Sequence, residues 1–258
     1  MIFDAAAELV RKGDPDRFKA TLAAPLDRRG PLMVLYAFNL EVARAPWQTT
    51  EPLIAEMRLQ FWADTVTAAS NGVPPPKHPV AGPLAEMVAA RQVAGVDVLA
   101  LIEARRFDIG KEPHQSDAAF RGYMAATSGG LMWMAAHLLG AGPDDEAAIR
   151  RFGTASGVAA LLVALPEIAA SGRHALPDPG DAALVSLAEW ALAELREVRR
   201  GRRLLPKPCT AAMLVGWQAD AILRRVQKGP AAVREGRLQL SEFHRRRLLA
   251  WRALTGRW

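Results

Sequence analysis

Residues 124–139 and 153–170 are apolar on almost every side, and this constrains the fold more than any other feature of the chain. A helix without a polar face has to be enclosed, either by other helices or by a bilayer. The first run contains Ser128, His137 and two glycines, and the second contains Pro166 and Glu167. Crossing a bilayer takes about 20 predominantly apolar residues, and these runs are shorter or interrupted. They are expected to be core helices of a protein large enough to surround them. Half of the 258 residues are hydrophobic, which is enough for a sizeable core. Alanine is abundant, β-branched residues are sparse, and Gly and Pro fall mostly between periodic segments. That pattern predicts an all-α chain. No linker is long enough to divide it, so one helical domain over 1–258 is expected.

The punctuation predicts about ten helices. Asp14-Pro15 supplies an N-cap and a first-turn proline for the second. Gly30-Pro31 is expected to open the helix carrying Tyr36 and Phe38, and Pro46 to end or kink it. Residues 51–70 read as one helix with Met57, Phe61 and Asp64 on one face. Further helices are expected at about 79–93, 97–110, 117–140, 144–171, 181–200, 209–227 and 241–256. Asp97, Ser116 and Ser241 are the expected caps.

Charge is unevenly distributed. Residues 196–258 hold 16 of the 33 Lys and Arg but only 4 of the 27 Asp and Glu, a net of +12 against −6 for the rest. A basic C-terminal region at about 196–258 implies an anionic partner. No zinc-finger spacing or RNP-like element points to nucleic acid, so an anionic membrane surface is the expected one. One cysteine, Cys209, excludes an intrachain disulfide and fits a reducing compartment. The opening segment has acids early and no basic stretch before an apolar run, unlike a secretory or transit signal. A bacterial cytoplasmic protein, peripheral on the inner membrane, is expected.

Tyr36-Ala37-Phe38, followed one segment later by a Trp-containing helix, resembles the squalene/phytoene synthase family. In that family an Asp-Asp-x-x-Asp run after the Tyr-Ala-Phe element holds magnesium on a prenyl diphosphate. Here those Asp positions fall on Ala43, Arg44 and Trp47, none of which offers a hard oxygen ligand. A second acidic run precedes a Gly-Arg…Leu-Pro signature in the family. The signature stands here as Gly172-Arg173…Leu176-Pro177, but the helix before it has a single acid, Glu167. Ala37-Phe38-Asn39, Glu41, Met57-Arg58, Gln60-Phe61-Trp62, His78-Pro79-Val80-Ala81 and Gly153 through Gly157 resemble a non-synthase branch of the superfamily. That branch contains the mitochondrial assembly factor for respiratory complex I and its bacterial relatives. The similarity runs from about Phe18 to about Pro177. The resemblance implies an isoprenoid-synthase-type helical bundle around a central cavity. It also implies a catalytically inactive protein assisting respiratory complex I assembly at the membrane and binding a lipid or prenyl chain. The alternative is an active magnesium-dependent prenyl transferase acting on prenyl diphosphates. No cofactor is expected otherwise, and no catalytic or metal-binding residue is assigned.

Seven residues are candidate binding groups: Glu41, Arg44, Arg58, Asp64, Tyr123, Glu167 and Arg173. Glu41 and Arg44 lie three apart and either face an anionic head group or form a local ion pair. Arg58 suits a phosphate or a partner's carboxylate, unless it and Asp64 are merely solvated. Asp108 caps or pairs locally. Tyr123 precedes Thr127-Ser128-Gly129-Gly130, whose glycines make room for a ligand or for a neighbouring helix. In the tail, Leu240, Phe243, Trp251, Leu254 and Trp258 form a stripe interrupted by Arg247, with Arg245, Arg246 and Arg252 beside it. Arg245, Arg246, Trp251, Arg252 and Trp258 are the expected membrane contacts, against the alternative of a last helix packed on the bundle.

Overall fold

The computed structural model describes residues 3–201 and 205–258, and every described regular element is helical. Arg202 and Arg203 of the basic region lie outside the described residues. The helices are α1 Asp4–Gly13, α2 Pro15–Thr21, α3 Leu26–Arg44, α4 Pro52–Ser70, α5 Ala81–Ala89, α6 Gly95–Arg105 and α7 Asp117–Met124. There follow α8 Gly130–Leu138, α9 Glu146–Ala170, α10 Asp181–Arg200, α11 Thr210–Met213, α12 Ala219–Lys228, α13 Ala231–Arg234 and α14 Glu242–Thr255.

The two apolar runs lie in α8 and α9 and its approach, and α9 is the hub. It packs on α8, α10, α12 and α13. Residues 143–170 are long and apolar enough to cross a membrane by length and composition. In this fold Ile149, Phe152, Val158 and Leu162 of that helix are buried against its neighbours. Between α7 and α8 the chain makes a π-helical turn, Ala125–Gly129, where α9 crosses closely. A Cβ on Gly153 would lie 2.8 Å from Met132 Cβ and 2.9 Å from Ser128 O. A Cβ on Gly129 would likewise lie 2.6 Å from Thr154 Oγ1 and 2.9 Å from Arg150 O, so these small residues make room for a helix, while Ser128 of the same segment also lines a cleft beside Tyr36.

Asp14, Ser116 and Ser241 cap their helices as expected, through Arg17, Ala119 and His244 amides. Pro46 ends α3 in a 3₁₀ turn, Ala45–Trp47. Three expectations need correction. α3 starts at Leu26, not at Gly30-Pro31, because Arg29 donates to Leu22 O and Ala24 O and steadies an extra turn that carries Pro31 inside the helix. Asp97 does not cap α6; its carboxylate takes a hydrogen bond from Arg150, 2.5 Å away. Residues 209–227 are not one helix but α11, a 3₁₀ turn at Leu214–Gly216 and α12.

Candidate functional site

The segments that carry the family resemblance meet at one end of α9. Pro46 removes a backbone donor and breaks α3, which turns Trp47 outward. At the far end of α9, Gly172 takes a left-handed φ of +74°, and the turn it allows sends Arg173 back over the helix end. The Arg173 guanidinium then reaches three backbone oxygens on two other segments. It donates to Asp108 O, to Gly110 O at 3.0 Å and to Pro46 O at 2.8 Å, and it lies 4.8 Å from the Trp47 ring centroid. No carboxylate pairs with it among the described residues.

Beneath this lid lies a polar cluster. Arg105 Nη1 donates to Asp108 at 3.0 Å and to Tyr123 Oη at 2.6 Å, and Tyr123 donates in turn to Asp108. Burial pushes the Tyr123 phenol well above its ordinary value, so it stays protonated and keeps that donor role. His114 stacks on Phe107 at 3.7 Å with an interplanar angle of 9°. Burial lowers its pKa, against the opposing pull of Asp108. The cavity left among these groups is about 90 Å³, well under the roughly 300–1,000 Å³ of a typical ligand pocket. On the other side of Arg173, an apolar pocket of about 400 Å³ is walled by Leu165, Ile168, Leu176, Leu184 and Val233.

A magnesium–diphosphate site of the kind the resemblance implies requires converging oxygen ligands. Ala43, Arg44 and Trp47 provide none, Glu167 is exposed on α9, and no three His, Cys, Asp or Glu side chains cluster among the described residues. The residues present do not fit that metal.

The structure brings only two of the seven candidates together at this mouth, Tyr123 and Arg173. Arg44 lies against Gly13 at the end of α1, where a Cβ would come within 2.6 Å of Arg44 Nη2, and it forms no ion pair with Glu41 among the described residues. Arg58 donates to the Gln48 side chain. Asp64 accepts from Gln60, whose oxygen accepts from Arg106. Trp47, Arg105 and His114 were not among the candidates, and no spacing in the sequence ties them to Arg173 some 60 or more residues away.

The space beside Tyr36 is a second centre. Tyr36 is buried, its phenol pushed up to about 12 chiefly by that burial, with the Arg17 guanidinium 5.1 Å from its ring. Two adjoining clefts of about 180 and 260 Å³ share Asp16, Ser156 and Gln218 as walls. Asp16 binds Gln218 at 2.7 Å and Arg245 at 2.5 Å.

Asp16 also changes the reading of the tail. Arg245 is tied to Asp16 and Glu242, and Arg246 to Glu242. Two expected membrane contacts face inward. Trp258 is 4% exposed, packs edge-on to Phe152 at 4.8 Å and accepts from Arg199. Arg252 is half-buried beside Arg199 and Asp220, and burial lowers its pKa. The reason is that α14 docks through Leu248 and Leu249, a line different from the expected stripe.

The sequence profile described as squalene/phytoene synthase matches residues 10–179. The chain is 28% identical over 171 residues to a Bos taurus protein named NADH dehydrogenase (ubiquinone) complex I, assembly factor 6, covering 66% of this chain and 51% of that one. It is 27% identical over 162 residues to the Homo sapiens protein of the same name, covering 62% and 48%. The chain thus matches about half the length of these relatives. A dehydrosqualene synthase crystal structure superposes with a TM-score of 0.82 at 16% identity, covering 98% of this chain and 95% of that one. That likeness establishes the isoprenoid-synthase type of fold.

Proposed function

Starting from the squalene/phytoene synthase family, to which this chain belongs, we propose a member that has given up diphosphate chemistry and works by binding. Its role is to assist assembly of a respiratory membrane complex, with complex I first in line. The names of the relatives support that role. The observation that carries the non-catalytic half is the donor set: no three His, Cys, Asp or Glu side chains cluster among the described residues. The Arg173 guanidinium, from the signature shared with the synthases, bridges Pro46, Asp108 and Gly110 beside Trp47, one of the three aligned metal positions. Departure of a diphosphate needs carboxylate-held metal to neutralise it, and the residues at the aligned positions are Ala43, Arg44 and Trp47.

The apolar pocket of about 400 Å³ beside Arg173 supports a lipid or prenyl-chain ligand, since its volume lies within the usual range for small-molecule sites. Its polar rim includes Arg173, His174 and Arg234. The basic C-terminal region supports action at an anionic membrane face, on the cytoplasmic side of the inner membrane. Deleting the gene and measuring NADH:quinone activity in membranes tests the role. Loss of assembled complex I, restored by the wild-type chain, is expected. Full activity in the deletion strain would end the proposal.

A further inference from the structure

The outer side of α14 presents an apolar row of its own. Phe243, Trp251 and Leu254 are 75%, 48% and 87% exposed, and helical spacing sets Arg247 in the same line. The chain from α2 into α3 runs alongside. Lys19 pairs with Glu242 at one end, and at the other Leu26, 80% exposed, shares a groove of about 870 Å³ with Leu254. Arg29 and Lys207 stand on the groove's walls.

The charge around this row is one-sided. Arg29, Lys207, Arg247 and Arg257 have no carboxylate within ion-pair distance among the described residues. Arg29 is satisfied by carbonyls, while Arg247 and Arg257 lie over the Phe243 and Trp251 rings. The nearby acids are already engaged: Asp27 by Arg28, and Glu242 by Lys19, Arg245 and Arg246. A partner for this face has to be apolar and anionic at once. A bilayer interface containing anionic lipid is both, and it takes up Trp and Phe at headgroup depth while Arg and Lys meet the phosphates.

We propose that α14, the start of α3 and the groove at Lys207 form a composite face that docks on an anionic lipid bilayer through Leu26, Phe243, Trp251 and Leu254. This deepens the membrane side of the proposed function, and its test involves no client protein, so it stands or falls apart from the assembly role. The face differs from the tail stripe expected above, since Trp258 and Arg252 take no part and the start of α3 does.

The test is flotation of the full-length protein with phosphatidylcholine vesicles, with and without phosphatidylglycerol. Wild type is expected to float only with the anionic vesicles. Arg247→Gln with Arg257→Gln should weaken binding about 25-fold, at roughly fivefold per cation near an anionic leaflet. Trp251→Ala with Leu254→Ser should weaken it about tenfold or more. Both pairs are exposed, and unchanged circular dichroism confirms folding. Leu53→Ser removes an equally exposed apolar residue (70%) on α4 and should leave flotation unchanged. Equal flotation of wild type and both double variants, or equal binding to neutral vesicles, would overturn the proposal. A loss with Leu53→Ser as large as that with the tail pair would overturn it too.

Discussion

Replacing Arg173 with Ala separates the closed mouth from the rest of the fold. The substitution removes three hydrogen bonds from one charged donor and its contact with Trp47. A buried bond from a charged donor is worth about 1.5–3 kcal/mol. This mouth is partly solvated and water can reach the freed carbonyls, so about 1 kcal/mol each is the better figure. The cation–π contact adds about 0.5–1 kcal/mol at a partly exposed site. The loss should therefore be about 3.5–4 kcal/mol, read as a lower urea midpoint at unchanged slope. Arg173→Lys should recover less than half, since one ammonium cannot span carbonyls on two segments and lacks the planar face that stacks on Trp47. Trp47→Ala combined with Arg173→Ala should show a coupling of about 0.5–1 kcal/mol. If Arg173→Ala unfolds within about 0.5 kcal/mol of wild type, the guanidinium does not hold the mouth closed and the reasoning fails.

Gly153→Ala should destabilise by about 1–3 kcal/mol, because its Cβ meets Met132 Cβ and Ser128 O, which cannot swing aside. Gly122→Ala, with nothing within 4 Å, should instead stabilise by about 0.5–1 kcal/mol; reversed signs in chemical denaturation would refute the close crossing. His114 has a folded pKa below its ordinary 6.5, so the unfolded chain binds its proton first as pH falls. Its contribution is full above that value and is lost on acidification below it, and His114→Phe should flatten this part of the stability–pH curve. Burial pushes the Cys209 thiol up to about 11, so a thiol reagent should label it only on unfolding; rapid labelling of native protein would contradict its burial.

The all-α class, the break at Pro46 and the caps Asp14, Ser116 and Ser241 could be read from local patterns, because each depends on residues within one turn of each other. Arg173 was visible as a motif residue, but its role was not. Its partners are main-chain oxygens, and backbone atoms leave no trace in residue type. The tail shows a different limit. Periodicity revealed an amphipathic helix, but α14 carries two apolar lines, Leu248-Leu249 and Phe243–Trp251–Leu254. The composition of the helix gave no basis for choosing which faces the bundle. Asp16 holds Arg245 across a separation of 229 residues. Contacts of that range are set by the fold.

Calorimetric titration of the purified protein with farnesyl and geranylgeranyl diphosphate, with and without magnesium, tests the central claim most directly. The account predicts no magnesium-dependent binding, because the residues at the aligned metal positions offer no oxygen ligand and no three His, Cys, Asp or Glu side chains cluster among the described residues. Tight binding that appears only with magnesium would contradict it and return the chain to the enzymes of its family.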